Sequence, residues 1–153
     1  GREILMSLVD TADVFLTNVR PGGLKRAGLD HETVMQRCPR LIYATLTGYG
    51  LEGPDADRPG MDSAAFWARS GLAAMFRPKG GDPVQLRTAF GDHVASLAII
   101  SAVLAAVHER QRTGAGRLVF CVSRTMSAAV TSPFNTRAGA SLQIARVRTF
   151  PIR

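Results

Sequence analysis

The sequence predicts an α/β fold in which parallel strands are flanked by helices. Two observations carry this. Apolar residues recur at helical spacing in some stretches and as short β-rich runs in others, and the two kinds alternate along the chain. The β-rich runs at 41–46 and 117–122 are separated by a long apolar stretch of helical character. Strands alternating with helices in this way build a sheet of parallel neighbours. The composition agrees: 153 residues, 46% hydrophobic and 20% charged, form a globular chain long enough for one core.

The elements follow in order. Ile4, Leu5, Leu8 and Val9 lie at helical spacing and predict a helix over 2–11. Asp13 leads into the apolar run Val14-Phe15-Leu16, a strand ending at Thr17-Asn18. Pro21-Gly22-Gly23 marks a turn, with proline placed to open a short helix through Arg26. Asp30 is placed to cap a helix over 31–37. The run from Leu41 to Leu46 is the clearest strand, and glycines and prolines make 47–60 an irregular loop. Asp62 then starts a helix reaching Leu72 and Ala73, and a second loop covers 77–91. Asp92 precedes a helix of about twenty residues that stops near Gly114. Its side chains are apolar on nearly every face, which predicts burial on several sides. Arg117 to Val122 forms another strand, and 123–130 starts a helix.

Several function classes drop out on composition. Two cysteines, Cys38 and Cys121, cannot build a disulfide scaffold, so a reducing cytoplasmic setting is expected. The N-terminal GREILMSLVD does not read as a signal peptide. The longest nearly apolar run, Val94 to Val107, falls short of the roughly 20 residues that span a bilayer, so no membrane partner is expected. The net charge of +7 is uneven: residues 110–153 carry eight arginines and no acid. A basic tail can face a polyanion. It comes without interleaved aromatics or a recognition motif, so nucleic-acid binding is not predicted.

No phosphate-loop, dinucleotide-binding, zinc-protease or serine-elbow motif occurs, and the three histidines are far apart, so no metal site is predicted. What remains is two glycine-containing loops, each running into a helix at an aspartate: Gly60-Met61-Asp62 and Phe90-Gly91-Asp92. Helix N-termini carry free N–H groups and the positive end of the helix dipole. An aspartate there commonly acts as a simple cap. The same setting favours an ionised carboxylate, as a nucleophile requires.

Three stretches together, NVRPGGLKRAGLD at 18–30, PRLIYATLTGYGLEGPDADRPGMD at 39–62 and GDHVASLAIISAVLAAVHERQRTGAGR at 91–117, resemble the family III CoA-transferases. That family includes formyl-CoA transferase, the carnitine CoA-transferases and the α-methylacyl-CoA racemases. The resemblance implies a partial Rossmann-like domain over 1–135, an internal piece of a longer chain that forms interlocked homodimers. Residues 136–153 are then an irregular Arg-rich tail, expected to be disordered or loosely helical. It also implies transfer of coenzyme A between an acyl-CoA and a carboxylic acid, both bound as substrates, with no tightly held cofactor.

Matched residue by residue, the resemblance makes Asp92 the nucleophile, carrying first an aspartyl–acyl anhydride and then an aspartyl-CoA thioester. Asn18, Val19, Arg20 and Arg26 match the segment that contacts CoA around its adenine and phosphates. Pro59, Gly60, Met61 and Asp62 match the loop along CoA near its reactive end. The racemases carry a histidine where this chain has Met61, and a thioether cannot transfer a proton. The resemblance therefore points to a transferase over a racemase, and leaves open a non-catalytic remnant of the family.

Overall fold

Alternation along three short strands sets the two-layered packing of this protein. The structure is a computed structural model that describes residues 1–85, 89–124 and the backbone of 146–148. Helix α1 (Arg2–Thr11) leads into β1 (Val14–Thr17), and α2 (Pro21–Ala27) and α3 (His31–Arg37) precede β2 (Ile42–Thr47). A π-helical segment, Ser63–Ala68, and the short α4 (Leu72–Met75) follow. Helix α5 (Phe90–Thr113) then feeds β3 (Arg117–Val122). Strands β1, β2 and β3 run parallel in that order, with Val14 opposite Ile42 and Ile42 opposite Arg117. A last strand, β4 (Arg146–Arg148), adds antiparallel to β3.

Successive strand residues face opposite sides, and each side of β2 meets its own core. On one side Ile42 and Ala44, with Val119 and Cys121 of β3, pack against Phe66 and α5. Ala95, Ile99, Ala102 and Ala106 form the helix face seated there, and three alanines in four positions let α5 lie close to the sheet. On the other side Tyr43 and Leu118 meet Met6 and Val9 of α1, Leu24 of α2 and Val34 of α3. The Tyr43 hydroxyl donates to the Leu29 carbonyl at 2.7 Å, which satisfies it in the core. Asp30 caps α3 as its position predicts, accepting from the Thr33 N–H at 3.0 Å, a contact that contributes about 1 kcal/mol.

Three expectations need correcting. Helix α5 is not buried on several sides: Leu97, Ile100 and Leu104, opposite the alanine face, are 70%, 55% and 63% exposed. Nor is it shorter than a bilayer span. It runs unbroken for 24 residues because both ends extend past the apolar run, and by length and composition it could cross a membrane. The helix expected from Asp62 through Ala73 is broken, with a π-helical first part and a separate α4 beyond Ser70-Gly71. The Ser70 hydroxyl folds back onto the Phe66 and Trp67 carbonyls at the break. Arginines at the start of the basic stretch find acids elsewhere in the chain. Arg110 pairs with Asp13 at 2.8 Å and Arg117 with Glu109 at 2.8 Å. The expected helix over 123–130 is helical at Ser123 and Arg124 and otherwise lies outside the described residues. Most of the 136–153 tail also lies outside them, and its described part is β4.

Candidate active site

In an open parallel sheet, ligands meet the chain beyond the carboxyl ends of the strands, where the loops and the helix N-termini gather. A cleft of about 110 Å³ opens at that edge here. Asn18 enters it from the end of β1, Thr47 and Gly48 from the end of β2, and Ser123 from the end of β3. Asp92, exposed in the first turn of α5, completes it. The strand ends are tied together, since the Arg124 N–H donates to the Gly48 carbonyl at 3.2 Å.

Two glycine contacts bring the loops to this edge. A Cβ on Gly48 would stand 2.4 Å from the Cα of Gly60, and one on Gly60 would stand 2.7 Å from the Cα of Gly48. Backbone therefore lies on backbone, and the loop through Pro59 and Met61 rides over the end of β2. The second contact is at Gly91. A Cβ there would meet Asp62 Oδ1 at 2.1 Å and Phe66 Cγ at 2.3 Å. Only a glycine lets the π-helical segment approach the start of α5 so closely.

The two aspartates are held differently. Neither caps the helix that follows it with its own side chain; α5 starts from Ala89, a residue in the left-handed region at φ 43°. Asp62 reaches instead across to α5, where its Oδ2 accepts the Gly91 N–H at 3.1 Å. That N–H is one of the free donors of the helix start, so Asp62 caps α5 from outside and fixes the turn that presents Asp92. At Asp62 burial works against the preference for the ionised form expected at a helix start. Burial pushes its carboxyl above the usual range, and the charge of Asp92 adds to this, against the lowering effect of the Gly91 N–H. Its Oδ1 is buried and has no hydrogen-bond partner among the described residues.

Of the residues singled out from the sequence, the cleft unites Asp92, Asn18, Arg20 and Gly60. The Arg20 guanidinium donates to the Asp57 carbonyl at 3.1 Å, and the Asp57 carboxylate accepts the Gly22 N–H at 2.7 Å. Loop 55–58 is thus docked on the start of α2 beside the cleft. Val19 and Met61 are 50% and 64% exposed, and Pro59 is exposed next to Gly60. Arg26 sits exposed in the last turn of α2 and is not among the residues lining this cleft. Sequence reasoning missed Thr47, Gly48, Arg58 and Ser123, all of which line it. The signal for three of them was present: Thr47, Gly48 and Ser123 stand at strand ends that were themselves legible.

The model of CoA-transferase family III matches residues 1–148. The (R)-2-hydroxy-4-methylpentanoate CoA-transferase of Clostridioides difficile is 40% identical over 119 residues, covering 78% of this chain and 30% of that protein. The succinyl-CoA:glutarate CoA-transferase of Homo sapiens is 36% identical over 121 residues, covering 79% and 27%. Among solved structures, Rv3272 of Mycobacterium tuberculosis superposes with a TM-score of 0.78 at 32% identity, over 86% of this chain and 37% of that one. A CAIB/BAIF family protein from Brucella suis gives 0.76 at 32% identity, over 87% and 35%. The chain thus spans about 30% of the length of the curated relatives it matches.

Proposed function

The chain belongs to CoA-transferase family III, and on that premise we propose that it moves coenzyme A between an acyl-CoA and a carboxylic acid, with Asp92 as the nucleophile. The observation that carries the reading is the position of Asp92: exposed, in the first turn of a long helix, in a cleft at the carboxyl edge of the parallel strands. An Asp92 oxygen attacks the thioester carbonyl; the C–S bond breaks and CoA leaves as thiolate from an aspartyl–acyl anhydride. The thiolate attacks the aspartyl carbonyl and releases the acyl group as its carboxylate, which leaves an aspartyl-CoA thioester. The acceptor carboxylate then runs the two steps in reverse. Covalent exchange in this form keeps the thioester's free energy through each step.

The surrounding residues support these roles. The N-terminal turn of α5 faces developing negative charge with its dipole. Arg20 puts a guanidinium at the rim, suited to a CoA phosphate. Met61 stands exposed where a racemase needs a proton-transferring base, which favours transfer over racemisation. The two relatives are named for carboxylates, 2-hydroxy-4-methylpentanoate in one and glutarate in the other, and that class is the acceptor proposed here.

The test is an exchange assay with an acyl-CoA and an isotopically labelled carboxylic acid. Label is expected in the acyl-CoA pool with the wild-type chain and not with Asp92→Ala. CoA binding without label transfer would favour a chain that binds but does not turn over, and equal label with both chains would remove Asp92 from the reaction.

A further inference from the structure

Ser123 lines the cleft that holds Asp92, and the reaction as described leaves it without a role. It directly follows β3, beside the Thr47–Val122 pair that ends the register of β2 and β3. Val119 and Cys121 face the α5 side of the sheet, and the two-residue period of a strand puts Ser123 next on that side. Asp92 lies there too, in the first turn of α5. The bond from the Arg124 N–H to the Gly48 carbonyl, at 3.2 Å, holds Ser123 against the end of β2.

Its hydroxyl differs from those of the helical serines. Ser7, Ser70, Ser96 and Ser101 each donate to a carbonyl one turn back. Ser123 is 6% exposed, yet among the described residues its Oγ makes no hydrogen bond, to Asp92 or to any backbone group. Nor is the oxygen sealed in. Thr45 Oγ1 is enclosed without a partner, whereas Ser123 Oγ keeps accessible surface, and the cavity its residue borders is the Asp92 cleft. A donor on a side chain this buried, unpaired and open to the cleft, is placed for an atom of what binds there. Arg20 and Arg58, on the segments docked beside the cleft, suit the phosphates. The neutral hydroxyl lies at the sheet edge with the nucleophile, where the oxygen brought nearest is that of the thioester carbonyl.

We propose that Ser123 is a second catalytic residue, whose hydroxyl donates to the thioester carbonyl oxygen during attack by Asp92. The inference rests on the transferase reading and adds a residue to it. As the Asp92 oxygen bonds to the carbonyl carbon, the C=O π pair moves onto oxygen, and the Ser123 O–H meets that charge. The pair then returns, the C–S bond breaks and CoA leaves as thiolate; Ser123 keeps its proton throughout. A fixed donor aimed at charge that develops only in the transition state acts on kcat.

The exchange assay tests this with succinyl-CoA and labelled glutarate or 2-hydroxy-4-methylpentanoate, the acids for which two relatives are named. Ser123→Ala is expected to lower kcat about hundredfold and leave KM for succinyl-CoA nearly unchanged. Ser123→Cys, which keeps the volume and has only a weak donor, is expected to fall most of that way, a readout that stands even if Ser123→Ala does not fold. The thioether S-propyl-CoA has no carbonyl, so it should inhibit wild type and both variants equally. Wild-type kcat in either variant, or a loss that appears equally in KM and in thioether inhibition, overturns the role of Ser123 and leaves the transferase reading intact. No label transfer by the wild-type chain overturns both.

Discussion

Replacing Gly91 by alanine adds one methyl group at the point where the two halves of the cleft meet. That methyl would fall 2.1 Å from Asp62 Oδ1, 2.3 Å from Phe66 Cγ and 2.6 Å from Phe66 Cβ. Phe66 is fully buried, so it has no free volume into which to retreat, and the π-helical segment must move as a unit. Overpacking of this kind costs about 1–3 kcal/mol. Displacing Asp62 also lengthens its bond to the Gly91 N–H, a charged hydrogen bond contributing roughly 1.5–3 kcal/mol. Against this stands a gain of at most about 1 kcal/mol, since alanine is the better helix former. The net expectation is a loss of about 2–4 kcal/mol, or roughly 5–15 °C in Tm for a chain of this size. Circular dichroism melts of the two chains measure it. A Gly91→Ala chain as stable as the wild type, or more so, would refute the packing between Asp62, Phe66 and α5.

Three further outcomes are expected. The folded-state carboxyl of Asp62 is raised, so its burial favours the protonated form: the penalty is absent below the unfolded value of 3.8 and grows as pH rises toward the folded value. Asp62→Asn, which keeps an acceptor for the Gly91 N–H without the charge, should therefore gain stability at pH 7 and lose that gain near pH 4; melts showing the opposite trend would contradict the raised carboxyl. Arg20→Ala should weaken CoA binding in a calorimetric titration by about 1–3 kcal/mol, and Arg26→Ala by less, because Arg20 lines the cleft and Arg26 does not; the reverse order would move the phosphate site to the far end of α2. Leu97, Ile100 and Leu104 form an exposed apolar strip on α5, which is expected to drive self-association; sedimentation should show a shift toward monomer in Leu97→Lys/Leu104→Lys, and an unchanged distribution would place the contact elsewhere.

Strands β2 and β3 were legible because they carry continuous apolar runs with β-branched and aromatic residues, bounded by Pro39 on one side and Gly48 and Gly116 on the others. Asp30 was legible as a cap because its partner, Thr33, is three residues away. Asp62 was not, because its partner Gly91 is twenty-nine positions on and becomes a neighbour only through the packing of Phe66. The same limit applied to the arginines. Arg110 reaches Asp13 across 97 positions, so a stretch without acids in sequence is not a stretch without acids in space. Helix α5 misled for a different reason: an all-round apolar sequence does not say which face meets the sheet, and the small Ala95, Ala102 and Ala106 took that side while the larger leucines stayed outside.

The central claim is that Asp92 becomes covalently attached during transfer. Incubation with an acyl-CoA followed by intact-mass analysis and peptide mapping measures this directly. The account predicts a CoA adduct on the peptide containing Asp92, absent in Asp92→Ala chains of native fold. Identical spectra for the two chains, or an adduct mapped to any other residue, would contradict it.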